Sequence, residues 1–414
     1  MTCTYDVAVI GGGPAGLAAA AAAREEDARV CLIERNTELG GILNQCIHDG
    51  FGLHAFGQVL TGPEFADRYA TRVRNNEVEI RTETLVVGLT ADFKLTCSTP
   101  GNRYRLSALA VVLAMGCRER TRAMLRIPGH RPSGVYTAGT AQYLINEANI
   151  LPGRRVVVLG SGDVGLIMAR RLTWEGAEVL AVIEKLPYPS GLQRNITQCL
   201  EDYDIPLYLS HTVIDVHGRD RVQGVTVVGL DGEGKAIPGT EFLIECDTLL
   251  CSVGLIPENE LSYRAGVELD SRTGGAKVGG DYMTSIPGLF SCGNVLHIHD
   301  LADWAALEGE EAGRNAARYA LSTDALSPTP ARIPVEPGTG VRYVVPHFAH
   351  SDTETLRLFL RVMEPGRDRE LLVLADEHEV FSKRLVRTAP AEIVQVEVPL
   401  SATGGNPRLK VCVK

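Results

Sequence analysis

Two glycine-rich turns, each followed by an acidic residue, carry the most specific chemistry in this sequence. The turns comprise Gly11, Gly13 and Gly16 in the first copy and Gly160, Gly162 and Gly165 in the second. In such a turn one glycine makes the bend, the next lets the backbone approach a pyrophosphate, and the third lets helix and strand pack closely. Glu34 and Glu184 follow at the distance where a carboxylate accepts hydrogen bonds from ribose hydroxyls. The sequence therefore predicts two dinucleotide sites.

The segments around the turns have the order of strand, helix and strand that such a site requires. A β-branched run at 7–10 precedes the first turn, an alanine-rich helix follows, and the apolar run 30–33 ends at Glu34. The second copy, residues 154–185, repeats this order. Unpaired N–H groups and the partial positive charge at each helix N-terminus would hold the phosphates. Because both copies keep the three glycines and the acid, two different dinucleotides are a better interpretation than one ligand and a degenerate copy.

The acidic residue of the second copy also bears on the choice of nicotinamide cofactor. A carboxylate at Glu184 repels a 2′-phosphate and suits the free ribose hydroxyl of NAD. Lys185 and Arg194 lie nearby in the sequence, and their positive charges keep NADP open as an alternative.

The composition of the 414-residue chain excludes several other classes of function. A formal charge of −10 leaves no basic surface of the kind that binds a nucleic acid. The apolar runs are shorter than the ~20 residues of a membrane-spanning helix, and the N-terminus shows no basic and apolar leader. We therefore expect a cytoplasmic protein without membrane insertion. The ten cysteines contain no CxxC pair and no four-residue zinc framework, so we expect no metal site.

Two further segments that run from a strand into a glycine indicate how the domains are arranged. Residues 107–120 and 246–259 end their apolar strands near Gly116 and Gly254. Residues 284–317, which contain GLFSCGN, then read as a strand, a turn and a helix. The predicted order is an FAD-type domain at 1–118, an inserted NAD-type domain at 119–250, the rest of the first domain at 251–325, a proline-rich linker at 326–340 and a β-domain at 341–414.

The end of the chain has strand periodicity. Leu356, Leu358, Leu360 and Val362 alternate with Arg357, Phe359 and Arg361, and Val394, Val396 and Val398 alternate with polar residues. A period of two marks half-buried strands. We therefore predict an α/β fold with two Rossmann-like dinucleotide-binding domains, the first interrupted by the second, and a small C-terminal all-β domain that resembles a sandwich.

Together these motifs resemble the pyridine-nucleotide-dependent flavoprotein oxidoreductases, a family in which an NAD domain interrupts an FAD domain. The likeness covers residues 5 to about 322 and rests on GGGPAG, GSGDVG, the two strand-to-glycine segments and GLFSCGN. It implies FAD and NAD(H) as cofactors, with hydride transfer between nicotinamide and flavin. In GLFSCGN, Asn294 stands where the family usually has the aspartate that contacts the ribityl chain of FAD.

Residue by residue, the resemblance implies two sets of cofactor-binding residues. The FAD set is Gly11, Gly13, Pro14, Ala15, Gly16, Glu34, Arg35, Gly41, Ile42, Val86, Ala114, Gly116, Gly293, Asn294 and Leu301. The NAD set is Gly160, Gly162, Asp163, Val164, Gly165, Glu184 and Gly254. A helix that begins near Leu301 would direct its positive N-terminus at the flavin, and Asp300 is the expected N-cap.

Three longer segments, at residues 40–70, 114–122 and 191–212, carry a narrower resemblance. They are similar to the FAD/NAD subunits that accompany glycerol-3-phosphate-dehydrogenase-like flavoenzymes, and to subunits of cyanide synthase, opine oxidase and sarcosine oxidase. This likeness implies an oligomeric enzyme in which a companion FAD-dependent dehydrogenase subunit oxidises the organic substrate. A small Cys-rich protein is a further candidate partner. We favour electron flow from the companion to NAD, although the motifs fit the reverse flow equally well.

Cys46 and His48 are the catalytic candidates, because they lie in the loop expected to pass the flavin. Where disulfide reductases carry paired cysteines this chain has Leu43 and His48, so thiol–disulfide exchange is disfavoured. The thiol of Cys46 could form a charge-transfer contact or a sulfenic acid, or pack beneath the flavin. His48 could donate to the flavin or shuttle a proton. The alternative functions are a stand-alone NADH oxidase or peroxidase that uses Cys46, and a flavin-containing assembly subunit without turnover.

Two groups of polar residues that follow GLFSCGN have a plainer interpretation. His297 and His299 are spaced like metal ligands, but their expected place beside the flavin favours hydrogen bonding or helix capping. Glu308, Glu310 and Glu311 form an acidic run that we interpret as a solvated helix face.

Overall fold

The computed structural model describes residues 3–322, 331–400 and 408–414. The chain forms two units: the first unit is Met1–Cys117 together with Pro257–Lys414, and the second unit is Arg118–Ile256. The predicted insertion at 119–250 begins close to the observed boundary but ends too early. The strand at Thr248–Cys251 and the turn that follows it belong to the inserted unit.

The helices and strands follow one another in three stretches of the chain. The first stretch contains β1 Cys3–Ile10, α1 Pro14–Glu25, β2 Val30–Ile33, β3 Asp49–Phe51, α2 Leu53–Phe56, β4 Leu60–Thr61, α3 Gly62–Asn75, β5 Glu79–Arg81, β6 Leu85–Leu89, β7 Lys94–Thr99 and β8 Asn102–Leu113. The middle stretch contains β9 Cys117–Glu119, α4 Arg122–Leu125, β10 Val135–Thr137, α5 Ala138–Asn146, β11 Arg155–Leu159, α6 Asp163–Trp174, β12 Glu178–Ile183, α7 Gln193–Cys199, β13 Leu207–Tyr208, β14 His211–His217, β15 Gly224–Gly229, β16 Phe242–Ile244, β17 Thr248–Cys251 and β18 Leu255–Pro257. The last stretch contains α8 Glu260–Ala265, β19 Leu289–Ser291, α9 Ala302–Leu321, β20 Arg332–Pro337, β21 Val341–Val345, β22 Phe348–His350, β23 Thr355–Val362, β24 Gly366–Ala375, β25 His378–Thr388, β26 Val394–Pro399 and β27 Leu409–Val413. Among the described helices, none combines the length and the hydropathy needed to cross a bilayer.

A largely parallel sheet forms the centre of the first unit. Its strand order is β5-β2-β1-β8-β7-β6, with β19 paired to β8. β1 pairs in parallel with β2 and β8, and α1 lies in the crossover from β1 to β2. The four residues of β2 are all buried, as is usual for parallel strands covered on both faces. This arrangement is the β–α–β unit that the first glycine-rich turn predicts.

Helices α1 and α9 approach each other so closely that their main chains touch. Residues 15–23 of α1 are buried, and most of them are alanine. A Cβ atom on Gly309 of α9 would collide with the main chain of Ala15, and one on Gly313 would collide with that of Ala19. The alanine-rich composition of α1 therefore serves this contact.

The second unit has its own parallel sheet. The strand order is β10-β17-β11-β12-β13, and a separate antiparallel sheet consists of β14-β15-β16. Helix α6 lies in the crossover from β11 to β12 and buries Leu166, Met168 and Leu172. The second glycine-rich turn is thus also part of a β–α–β unit.

The C-terminal part of the first unit is the small β-sandwich that the sequence predicts. Sheets β22-β20-β27-β24-β25 and β21-β23-β26 enclose a common apolar core. Leu356 and Leu360 of β23 point into this core, as the period of two predicts. The same pattern predicts an exposed Phe359, and this is wrong. Phe359 is buried because its ring packs against the imidazoles of His297 and His299.

The predicted linker at 326–340 is wrong for the part that the structure describes. Residues 323–330 lie outside the described residues, but Arg332–Pro337 forms strand β20. One half of β20 pairs with β22 and the other half with β27. Each half of β20 therefore forms a hydrogen-bonded ladder on one side only. A proline is tolerated in such a strand when its missing N–H group would face the unpaired side. Pro334 and Pro337, two of the prolines that suggest a linker, belong to this strand.

His347 is expected to make the protein less stable as the pH falls. Its Nδ1 accepts the Val278 N–H at 3.2 Å, and burial lowers its pKa to about 4 although Asp270 lies nearby. The unfolded chain takes up a proton near the ordinary value of 6.5, whereas the folded chain does so near 4, so stability present above pH 6.5 is lost between these values. The loss should reach about 3 kcal/mol.

Urea unfolding across this pH range measures the contribution of His347. His347→Asn keeps a hydrogen-bond acceptor without a titrating ring and should flatten the profile. His378 is exposed, so His378→Asn is the matched control and should leave the profile unchanged. The same slope in His347→Asn and in the wild-type protein would contradict this assignment.

Candidate functional site

The first glycine-rich turn, between β1 and α1, has the geometry that the sequence predicts. Gly11 has a φ of 108°, and a Cβ atom there would strike the carbonyl group of Ala114. Gly16 faces the carbonyl oxygen of Gly11, where a Cβ atom does not fit. Gly13 is the N-cap of α1 and Pro14 its first residue. The N–H groups of this first helical turn have no acceptor within the helix, which suits an anionic ligand.

Glu34 closes the first turn from the end of β2. Its buried carboxylate accepts hydrogen bonds from the N–H groups of Gly12 at 2.6 Å and Asn36 at 2.8 Å. Its carbonyl oxygen accepts the Thr84 N–H at 2.9 Å, which ties a second segment to the same place. The structure therefore brings the predicted acidic residue to the turn.

The segment after β2 returns to the first turn through its glycines. The Gly40 N–H donates to the Gly12 carbonyl at 2.8 Å. A Cβ atom on Gly41 would lie 3.1 Å from the Cα of Gly13. Gly41 opens a short 3₁₀ helix that ends at Gln45. Through these contacts, the segment that leads to Cys46 and His48 starts beside the first glycine-rich turn.

The side chains of Cys46 and His48 each contact a main-chain carbonyl group close by in the sequence. The half-buried thiol of Cys46 donates to the Ile42 carbonyl at 3.2 Å. The Nδ1 atom of His48 lies 2.8 Å from the carbonyl oxygen of Asp49. The nine cysteines whose side chains the structure describes form no disulfide bonds. The catalytic roles of Cys46 and His48 stay predictions.

Three residues of the predicted FAD set are less closely tied to the turn. Arg35 and Ile42 are exposed beside Glu34 and Gly41, respectively. Val86 lies in β6, at one end of the sheet order, with its side chain buried. Their roles in binding also stay predictions.

The GLFSCGN segment meets the first turn from another side. A Cβ atom on Gly293 would lie 2.6 Å from the Cβ of Ala15. The side chain of Asn294 donates through Nδ2 to the sulfur of Cys117 at 3.6 Å and accepts through Oδ1 the His299 N–H at 2.9 Å. An aspartate carboxylate could accept the His299 N–H but could not donate to the Cys117 sulfur. The asparagine amide can make both bonds. Gly116 lies in the same region, at the end of the first strand-to-glycine segment.

Helix α9 begins at Ala302, and Leu301 occupies its N-cap position without a side-chain cap. The prediction that Asp300 caps this helix is wrong. The Asp300 carboxylate instead pairs with Arg361 at 3.2 Å and accepts the Ile393 N–H at 2.9 Å. Both partners belong to the β-sandwich, and a charge-assisted contact with arginine is stronger than an ordinary cap.

Asp303, in the first turn of α9, is a buried site residue that the sequence pattern does not single out. Its carboxylate accepts the N–H groups of Gly52 at 3.0 Å, His54 at 2.9 Å and Ala55 at 3.0 Å. These bonds fix the start of α2 against the N-terminus of α9. Acidic residues are common near the start of helices, so the sequence alone does not distinguish Asp303 from any other. Its three bonds to the segment at 52–55 are visible only in the structure.

The acidic run of α9 is not a solvated face, contrary to the prediction. Glu308 is buried, with Oε1 accepting the Gly293 N–H at 2.6 Å and Oε2 lying 3.0 Å from Nε2 of His297. Burial alone would raise the pKa of Glu308, but His299 and His297 outweigh it and lower that pKa to about 2. Successive helix residues point in different directions, so a run of acids in sequence need not share one face.

The second glycine-rich turn, between β11 and α6, repeats the first. Gly160 has a φ of 93°, and a Cβ atom there would meet the carbonyl group of Ser252. Gly162 is the N-cap of α6, and the Gly165 N–H donates to the Ser252 hydroxyl at 3.1 Å. Ser252 therefore supports this turn in the way that Ala114 supports the first, with an added side-chain bond.

Asp163 and Val164, the first two residues of α6, differ in their surroundings. Asp163 Oδ1 accepts the Leu192 N–H at 2.8 Å and an Asn195 side-chain N–H at 2.7 Å, so it holds the loop that follows β12. Val164 is exposed. Gly254, with a φ of 102°, ends the second strand-to-glycine segment.

Glu184 lies at the end of β12 and is bound to the second turn by its carboxylate. Oε2 accepts hydrogen bonds from the Ser161 N–H at 3.0 Å, the Ser161 hydroxyl at 2.6 Å and the Ser190 hydroxyl at 2.9 Å. Oε1 accepts the Leu186 N–H at 3.0 Å. The side chain is buried. The two serines escape sequence reasoning because their meeting depends on how the loop after β12 folds back.

Solved structures with this fold include thioredoxin reductases. The enzyme from T. acidophilum matches with a TM-score of 0.63 and 23% identity, over 77% of this chain and 99% of that one. The enzyme from Lactococcus lactis also matches with a TM-score of 0.63, at 21% identity over 77% and 99% of the two chains. These likenesses confirm the predicted α/β fold.

The curated relatives include proteins with three different names. The glutamate synthase [NADPH] small chain of Mycobacterium tuberculosis is 28% identical over 79% of this chain and 69% of its own length. Hydrogen cyanide synthase subunit HcnB of Pseudomonas protegens is 26% identical over 75% and 68%. An opine oxidase subunit of Agrobacterium tumefaciens is 28% identical over 64% and 55%, so this chain spans little more than half of that protein.

The family itself is shown by a match over most of the chain. A family model described as pyridine nucleotide-disulphide oxidoreductase matches residues 5–309, a range that contains both glycine-rich turns and the GLFSCGN segment. The match confirms the predicted class, an oxidoreductase that uses FAD and a pyridine nucleotide. The chain belongs to the pyridine nucleotide-disulphide oxidoreductase family.

Proposed function

We propose that this protein passes a hydride between NAD(H) and FAD and does so as one subunit of a larger flavin dehydrogenase. The observation that carries the proposal is the pair of glycine-rich turns, each with a buried glutamate bound to it. The first glycine of each turn, Gly11 or Gly160, has no room for a Cβ atom, which keeps the bend tight. A Cβ atom on Gly13 would meet no atom within 4 Å, so the space where a pyrophosphate would approach the first turn is open, and the residues fit two dinucleotides. When bound, the cofactors supply the redox chemistry between nicotinamide C4 and flavin N5.

The chain's own residues would bind and orient the cofactors. The first turn, Glu34 and Gly41 would hold FAD at the start of α1, and Gly293 would approach it from the GLFSCGN side. The second turn and Glu184 would hold NAD at the start of α6. The domain labels of the sequence analysis, FAD for the first unit and NAD for the second, are part of this proposal.

The surroundings of Glu184 support NAD rather than NADP. Its carboxylate accepts hydrogen bonds from Ser161, Ser190 and Leu186, which hold it at the end of β12 beside the second turn. A fixed negative charge there repels a 2′-phosphate. Lys185 and Arg194 are both exposed, so solvent weakens the opposing attraction.

Anaerobic mixing of the flavin-loaded protein with each nicotinamide tests the proposal. NADH should bleach the flavin faster than NADPH, and bleaching by neither would overturn the proposal. Glu184→Gln removes the charge and should reduce the NADH preference by about tenfold. Glu178→Gln, an exposed acid at the start of the same strand, is the matched control. If the two variants kept the same preference, the role of Glu184 would be refuted.

The association with a companion rests on the relatives. The hydrogen cyanide synthase and opine oxidase relatives are both named as subunits, and the glutamate synthase relative is named as a small chain. A companion FAD-dependent dehydrogenase that oxidises the organic substrate, with a small Cys-rich protein as a further partner, would follow. Gel filtration of this chain co-expressed with the product of an adjacent gene should give one complex, and separate elution would contradict it.

A further inference from the structure

Three buried side chains of the first unit meet at a point that the proposed function does not use. His297 and His299 lie between the short 3₁₀ turn Gly293–Val295 and α9, and Glu308 comes from within α9. The side chains of His297 and Glu308 are 0% exposed, and that of His299 is 1% exposed. Their possible ligand atoms all lie within 4.8 Å of one another. Such a group of imidazoles and a carboxylate is the donor set of a metal site.

Ordinary hydrogen bonding leaves one member of this cluster unexplained. His299 Nε2 lies 3.3 Å from Glu308 Oε2, yet neither ring nitrogen of His299 has a hydrogen-bond partner. A buried imidazole without a well-aligned hydrogen bond loses the free energy of its hydration with little in return. The ring therefore points its nitrogen near the carboxylate without the alignment that a hydrogen bond needs. This is the arrangement expected when both atoms face a common third atom.

The spacing of the ligand atoms agrees with a bound ion. Two ligands at about 2.0–2.1 Å from a tetrahedral Zn²⁺ lie about 3.3 Å apart. The observed separations from Glu308 Oε2 are 3.0 Å to His297 Nε2 and 3.3 Å to His299 Nε2. The other carboxylate oxygen, Oε1, is fixed by the Gly293 N–H at 2.6 Å, which orients Oε2 toward the imidazoles. Support of this kind from beyond the ligands is usual at metal sites.

The charges around the cluster also leave room for a cation. Arg361 of the β-sandwich is paired with Asp300 at 3.2 Å. The Tyr343 hydroxyl lies 3.5 Å from His297 Nδ1. Phe359 covers the two imidazoles with an apolar ring. The negative charge of Glu308 is therefore left for the cluster itself to balance.

We propose that His297, His299 and Glu308 form a binding site for a divalent transition-metal cation, with Zn²⁺ as its occupant. Two imidazole nitrogens and one carboxylate oxygen are ligands that Zn²⁺ takes, and these three protein ligands leave its fourth tetrahedral position for a water molecule. The ion joins the loop at 297–299 to α9 beneath the β-sandwich, so its role is to stabilise the first unit. None of its three ligands belongs to the predicted cofactor sets, although Glu308 also accepts the N–H of Gly293, which does.

The test is the metal content of the full-length flavoprotein, purified without a histidine tag. Elemental analysis should give about one Zn²⁺ per chain. Removing the ion with a chelator should lower the melting temperature, and adding Zn²⁺ should restore it. His299→Ala should weaken Zn²⁺ binding by more than about a hundredfold. Glu308→Gln keeps the shape of the side chain and should also weaken it.

His350→Ala is the matched control, because His350 is a half-buried histidine 3.4 Å from another carboxylate, that of Asp281. This variant should keep the full metal content. The proposal is overturned if the purified protein carries no Zn²⁺ and the stripped protein binds none, or if His299→Ala binds Zn²⁺ as the wild-type protein does. Should His299→Ala fail to fold, chelator titration of the wild-type protein together with Glu308→Gln decides between these outcomes.

Discussion

Replacing Gly160 with alanine should lower kcat/KM for flavin reduction by NADH by about a hundredfold or more. The main chain at Gly160 has a φ of 93°, and the new methyl group would collide with the carbonyl group of Ser252. Because the new Cβ atom has no rotatable bond to move about and the carbonyl group belongs to the main chain, the turn itself must move, and with it the N–H groups expected to face the pyrophosphate. Anaerobic stopped-flow reduction measures the loss. Flavin content should be unchanged, since the first glycine-rich turn lies in the other unit.

Gly176→Ala separates crowding of the turn from simple backbone strain. Gly176 also belongs to the second unit and has a φ of 84°, but a Cβ atom there would meet no atom within 4 Å. This control should reduce flavin within about threefold of the wild-type rate, because its strain is distant from the turn. An equal loss of kcat/KM in Gly160→Ala and Gly176→Ala would mean that either substitution weakens the second unit as a whole. It would contradict the proposal that the second glycine-rich turn binds NAD.

Asp303→Ala should lower the free energy of unfolding of the first unit by about 3–5 kcal/mol. The substitution removes the acceptor of three main-chain N–H groups, those of Gly52, His54 and Ala55. The carboxylate is almost fully buried, so water replaces it poorly. Urea unfolding monitored by circular dichroism and by flavin release gives the change in stability.

Two further variants make the Asp303 prediction specific. Asp303→Asn can keep an oxygen for His54 and Ala55, but its amide nitrogen would face the Gly52 N–H, so an intermediate loss is expected. Asp6→Ala removes one acceptor, that of the exposed Arg29 N–H, and should cost less than about 1 kcal/mol. Similar unfolding midpoints for Asp303→Ala and Asp6→Ala would refute the role of Asp303.

The parts of the fold that could be predicted are those specified by neighbouring residues. The position of each glycine in its turn and the length of the following helix are local, so Gly11 and Gly160 and their acidic partners lie where the spacing indicates. The period of two in β23 is local as well, and it places Leu356 and Leu360 in the core of the sandwich. Each of these features needs knowledge of only one strand or one turn.

The parts that could not be predicted depend on contacts between distant segments. Phe359 and Arg361 carry the polar-face pattern of β23, but this face lies against the loop at His297 and His299 rather than against water. Asp300 has the right place for a helix cap and is instead taken by Arg361. Glu308 is buried because the segment with Gly293, His297 and His299 folds back onto α9, and the spacing of these residues in the sequence does not indicate that contact.

The main-chain contact of α1 with α9 makes the spacing of these two helices a fixed dimension of the protein. Side chains elsewhere act as adjustable spacers, and an altered rotamer or a filled cavity changes how far apart two elements stand. Between Gly309 and Ala15, and between Gly313 and Ala19, there is no such spacer to lengthen or shorten. Substitutions in the core can therefore push these two helices apart but cannot bring them closer. Changes in the position of groups at the helix N-termini have to come from the loops that precede the helices.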